Sequence, residues 1–145
     1  MGGKSPCIVD GSTNIEKTAR RIIFGKFINC GQTCIAPDYI LVKQEIKQSL
    51  IDALIKEIEK AFGQDSSKSK DYGRIIHQKH FDKLINNLKD QKVVYGGKYD
   101  KQNLFFSPTL VVDPSKKSQL YQEEIFGPIL SIIGYNNEEE IDNVL

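Results

Sequence analysis

Short apolar runs alternate with longer stretches of helical periodicity along the whole chain, and that alternation limits the fold more than any other feature. Ser5 to Val9 reads as a buried strand closed by an Asp10-Gly11 turn. Thr13 and Glu16 give a capping-box pattern. Ile15, Ala19, Ile22, Ile23 and Phe27 follow at helical spacing, which predicts a helix over 13–29. Asn29-Cys30-Gly31 is expected to end it in a left-handed cap. A compact turn then leads to a strand at Tyr39 to Val42. The clearest helix spans 45–62, with Ile46, Leu50, Leu54, Ile55, Ile58 and Phe62 on one face and Gly63 as its stop.

Residues 64–72 are polar and read as a solvated loop. A third helix is expected from His77 to Leu88, buried through Phe81, Leu84, Ile85 and Leu88. Val93 to Tyr95 reads as a strand ended by Gly96-Gly97. Phe105-Phe106 and Thr109 to Val112 form one β-segment around Pro108, and Ile129 to Tyr135 forms another strand. Asn137 and Glu140 cap a last helix begun by Ile141, Val144 and Leu145. Strands alternating with helices imply an α/β domain with a largely parallel sheet flanked by helices. No internal repeat is visible. The helix after 137 stops after about two turns, which is marginal without packing, so the termini read as cuts through a larger domain.

Composition narrows the function classes. The chain has 145 residues, enough for one domain that buries roughly two-thirds of its unfolded surface. Twenty Lys and Arg face 19 Asp and Glu, for a net charge of +1. No basic stripe with interleaved aromatics exists, so nucleic acid is not expected as a partner. No run approaches the ~18 apolar residues of a membrane span. The start lacks an apolar signal region, and Met1-Gly2 with Ser5 misses the myristoylation pattern. Three cysteines (Cys7, Cys30 and Cys34) read as reduced thiols, and the expected location is cytoplasmic.

Two segments could carry chemistry. Cys34 follows a tight Gly-Gln-Thr turn, where a thiol gains exposure and nearby backbone N–H groups for an oxyanion. Its place just beyond a helix C-terminus disfavours the thiolate, so activation has to come from elsewhere, such as a base or a bound cationic ring. By spacing alone, a lone cysteine after a turn reads more readily as a structural thiol. Cys30 and Cys34 form a C-x3-C pair with His77 and His80 downstream, but a zinc frame needs four ligands in reach. Cys30 reads instead as a core residue at the helix end, and both histidines as surface helix residues. Gln122-Glu123-Glu124-Ile125-Phe126-Gly127-Pro128 sets adjacent carboxylates beside an aromatic and a Gly-Pro break. An ionised carboxylate can bind a ribose diol, while the plainer reading is a charged helix end with Phe126 in the core. Gly2-Gly3-Lys4 is too short for a phosphate-binding loop.

Taken in order, Gly2-Gly3-Lys4-Ser5-Pro6, Asn29-Cys30-Gly31-Gln32-Thr33-Cys34 and Glu123-Glu124-Ile125-Phe126-Gly127-Pro128 resemble the aldehyde dehydrogenase superfamily. Pro108-Thr109-Leu110 resembles a strand segment of that family, and Ile35-Ala36-Pro37-Asp38-Tyr39 is similar to its class 3 and fatty aldehyde dehydrogenase branch. The resemblance reverses the plain readings of Cys34 and Glu124.

It implies Cys34 as the catalytic nucleophile, attacking an aldehyde to give a thiohemiacetal and then a thioester that water hydrolyses. It implies NAD or NADP as cofactor, with Glu124 on the nicotinamide-side ribose and Phe126 packed near the ring. Gly2 and Gly3 would lie beneath that ring, the Cys34 N–H would serve the oxyanion, and Cys30 would have no catalytic role. No metal is implied. The family's general-base Glu, two residues before the first Gly of Gly-Gly-Lys, has no counterpart here.

The whole chain, 1–145, is therefore expected to be a single partial catalytic domain, without the cofactor-binding domain and the C-terminal oligomerisation segment. In full-length form the resemblance implies an aldehyde substrate and a homo-oligomer; class 3 relatives are soluble or anchored by a C-terminal tail. The isolated chain is expected to be inactive. The alternatives are a non-catalytic interaction or structural module of the same fold, and a thiol redox or zinc protein using Cys30 and Cys34.

Overall fold

The structure is a computed structural model that describes residues 5–12, 14–33 and 36–145. The readings placed on Gly2, Gly3, Lys4, Thr13 and Cys34 lie outside these residues.

The first unit is strand β1 (Pro6–Val9), helix α1 (Ile15–Phe27) and strand β2 (Tyr39–Lys43). Asn14 caps α1: its side chain accepts a hydrogen bond from the Lys17 N–H at 3.0 Å. Helix α2 (Lys47–Phe62) follows and stops at Gly63, and α3 (Gln78–Asn87) is capped by the His77 side chain. Next come β3 (Lys92–Tyr95), β4 (Tyr99–Asp100), β5 (Phe105–Phe106) and β6 (Thr109–Val112). A one-turn helix α4 (Gln119–Gln122), strand β7 (Ile129–Tyr135) and helix α5 (Glu138–Val144) complete the order.

Five strands form one sheet in the order β1-β2-β7-β6-β3. The first four run parallel, and β3 joins β6 antiparallel with a register shift between Val93 and Tyr95. The largely parallel sheet read from the sequence is therefore present. The single β-segment expected around Pro108 is instead two strands in two sheets, because β5 turns away to pair with β4.

Side chains alternate across a strand, so a parallel sheet must be covered on both faces. Ile40 and Val42 of β2 and Leu130 and Ile132 of β7 point to one face, where α1 and α2 pack with Ile22, Ile23, Leu50 and Leu54. Tyr39, Leu41 and Tyr135 point to the other, under Ile141 and Val144 of α5. Further along that second face, Phe81 and Leu84 of α3 join Phe106, Val111 and Ile129. The loop over 64–72 is less solvated than its polarity suggested: Ser66 and Tyr72 are buried, and the Tyr72 ring packs edge-on against Phe62.

Candidate functional site

The site collects at the amino-terminal edge of the parallel strands. Pro6, Tyr39 and Ile129 begin β1, β2 and β7, and the segments feeding the last two strands converge there. Asp38 joins them. Its N–H donates to the Ser5 carbonyl at 2.8 Å, its own carbonyl accepts from Ser131 at 3.3 Å, and its carboxylate accepts from the Ile125 N–H at 3.2 Å. Lys26, fully buried on α1, stands 3.9 Å from that carboxylate. A buried carboxylate needs such a countercharge and hydrogen bonds, because desolvating a lone ion costs several kcal/mol.

The turn before Cys34 has an unusual backbone. Asn29, Cys30 and Gly31 take φ values of 51°, 57° and 75°. The expected left-handed cap is there and runs over all three residues. For the two non-glycine residues this conformation costs on the order of 1–3 kcal/mol each, so the surroundings must hold it. Gln32 does part of this work. Its side-chain amide donates to the carbonyls of Asn29 (3.1 Å) and Arg74 (2.9 Å) and accepts from the Ile76 N–H (2.9 Å). Cys30 is fully buried near Tyr72 and Phe106, and burial pushes its thiol up to about 11. It is the core residue expected at the helix end.

Gly31 brings the two motif segments together. A Cβ on Gly31 would fall 2.2 Å from the Gly127 carbonyl oxygen, so only glycine permits this approach. Gly127 is confined less strictly on its other side, where a Cβ would sit 2.6 Å from the Leu84 side chain of α3. The segment 123–127 is thus wedged between the turn before Cys34 and helix α3.

Within the wedge, Glu123 pairs with Lys83 of α3 at 3.3 Å. Glu124 is half-buried, and among the described residues no hydrogen bond or ion pair engages its carboxylate. Phe126 is half-buried with φ 51°, neither in the core nor in open solvent. Its carbonyl lies 2.6 Å from Nε2 of His80, and the two rings meet edge-on at 6.2 Å. His80, expected as a surface residue, is therefore part of this cluster. A carboxylate unengaged among the described residues, two positions from an aromatic with a positive-φ backbone, is able to accept hydrogen bonds from a pair of hydroxyls.

Asp38 and Lys26 were not singled out from the sequence as site residues, and His80 was weighed only as a zinc ligand and read as a surface residue. Their partners are 12 to 87 residues away, and no local pattern signals them. Among the described residues no group of three or more His, Cys, Asp or Glu side chains could hold a metal ion. Among them, too, no helix is long and apolar enough to cross a membrane.

These features define a class, an α/β domain whose strained turn and 123–127 segment converge at one edge of a largely parallel sheet. Comparison with known proteins gives the particular family. A family model described as the aldehyde dehydrogenase family matches residues 1–144. The dimeric NADP-preferring aldehyde dehydrogenase of Canis lupus familiaris is 44% identical over 140 residues, covering 97% of this chain and 31% of that protein. Aldehyde dehydrogenase family 3 member A2 of Mus musculus is 41% identical over 145 residues, covering 100% of this chain and 30% of its own length.

The solved substrate-bound state of Staphylococcus aureus AldH superposes with a TM-score of 0.94 at 46% identity, over 97% of this chain and 31% of that one. The chain belongs to the aldehyde dehydrogenase family, and its relatives include the class 3 branch read from the sequence. It spans about 31% of the length of the relatives it matches.

Proposed function

We propose that these residues form the nucleophile-bearing part of an NAD(P)-dependent aldehyde dehydrogenase, which oxidises aldehydes to carboxylic acids. The observation that carries the reading is the wedge: the turn leading to Cys34 abuts the segment bearing Glu124 and Phe126 through Gly31 and Gly127. A nucleophile and a cofactor-binding segment need such a fixed relation, because catalysis depends on orientation within a fraction of an ångström.

In this reading the Cys34 sulfur attacks the aldehyde carbon, and the backbone N–H of Cys34 donates to the oxygen as it gains charge. The dinucleotide supplies a hydride acceptor, so the thiohemiacetal on Cys34 becomes a thioester. Water then releases the carboxylic acid and restores the thiol. Glu124 accepts the ribose hydroxyls, and Phe126 sets the position of the ring. Cys30 takes no part, since its buried thiol stays protonated. The preference for NADP named in one relative is extended here only to the pair, NAD or NADP.

The 145 residues by themselves correspond to too little of the family's length to hold a dinucleotide, so we expect no turnover from them alone. The test is a chimaera in which they replace the matching segment of a class 3 relative. It should reduce NAD(P) in the presence of an aldehyde, with an acyl adduct on Cys34 detectable by mass spectrometry. Cys34→Ser should lower turnover by about 10³-fold or more. Turnover that survives Cys34→Ser would refute the reading.

A further inference from the structure

We infer that His80 is a positioning residue for the cofactor segment, acting through the carbonyl of Phe126. A carbonyl can only accept a hydrogen bond, so the contact at 2.6 Å requires His80 to donate from Nε2. The backbone of His80 is itself fixed, its N–H donating to Nδ1 of His77 at 3.2 Å across the first turn of α3. The acceptor belongs to a residue with a left-handed backbone, φ 51°, which a non-glycine residue leaves unless something holds it.

Two other α3 side chains address the same segment: Lys83 pairs with Glu123, and Leu84 abuts Gly127. His80 and Leu84 are four residues apart and share one face of the helix. Among the described residues, the side-chain hydrogen bond to the carbonyl of the peptide that follows Phe126 comes from His80. Loss of its hydrogen bond frees that peptide to rotate, which moves the Phe126 ring, while Ile125 stays held by its N–H on Asp38.

The inference rests on the reading of Glu124 and Phe126 as dinucleotide contacts, and its test separates the two. The first measurement needs no activity and uses the 145-residue chain. Neutral His80 should be protonated on Nε2 in long-range proton–nitrogen spectra. His80→Ala should shift the amide of Gly127, whose peptide carries the Phe126 carbonyl, and His80→Gln, which keeps an N–H donor, should restore part of the shift. An Nδ1-protonated neutral His80, or a Gly127 amide unmoved by His80→Ala, overturns the inference.

The second measurement uses the chimaera. His80→Ala should raise KM for the dinucleotide about three- to tenfold, the worth of one hydrogen bond, with KM for the aldehyde little changed and His80→Gln in between. Glu124→Gln should raise the same KM. If neither variant moves it, the reading and the inference both fall; if only Glu124→Gln moves it, the inference alone falls.

Discussion

Cys30 sits beside Tyr72 and Phe106, out of water, and its thiol ionises only near pH 11 instead of the ordinary 9.0, chiefly because burial penalises the thiolate. The consequence for stability has a definite sign. In the unfolded chain the thiol ionises through pH 9, while in the folded chain it stays neutral until about 11. The unfolded state thus gains charge first, and stability is lost as pH rises through that window. Tyr72 is also held well above its usual value by burial and titrates in the same direction. Urea unfolding should therefore show stability falling above pH 9. Cys30→Ala should remove a part of that fall worth on the order of 2 kcal/mol. An unchanged slope in the variant would mean that Cys30 is not buried as described.

At the scale of elements, the site depends on segments that meet without forming regular structure. The approach of Gly31 to Gly127 is the tightest of these, and Gly31→Ala should push the turn and the 123–127 segment apart. The expected destabilisation is about 1–3 kcal/mol from overpacking alone, with more from the positive φ, measured as a drop in the urea midpoint. A variant as stable as the parent would show that the two segments are not in contact.

The long periodic elements were legible in the sequence for the same reason that they are stable: each buries one continuous face. Strand β7, Ile129–Tyr135, has the bounds read from its apolar run, and α2 and α3 differ from their readings only at the ends. Strand β4 and helix α4 were not legible, because two residues and one turn carry no periodicity. Lys26 was not read from the sequence. It lies on the buried face of α1, where a lysine ordinarily marks the solvated side, and Asp38 stands 3.9 Å from it.

Across the whole molecule, helices cover both faces of a parallel sheet, and the motif segments gather at the amino edge of its strands. Ligands of open α/β sheets usually sit at the opposite edge, and fold class alone would have pointed there. The order of the motifs along the chain gave the family, which the comparisons establish, while their assembly in space depended on Asp38, Gln32 and His80. No composition or spacing argument reaches such contacts, because each joins residues more than 40 positions apart.

The central claim is that the turn after α1 keeps Cys30 in the core and abuts the 123–127 segment through Gly31. The most direct test is the rate at which each thiol reacts with a mild alkylating agent between pH 6 and 9, read residue by residue by mass spectrometry. Cys34 should be modified first. Cys7 should follow more slowly, since it is half-buried with its thiol pushed up by burial. Cys30 should remain unmodified until the chain unfolds. Modification of Cys30 at the rate of Cys34, or equal rates at all three, would contradict the account.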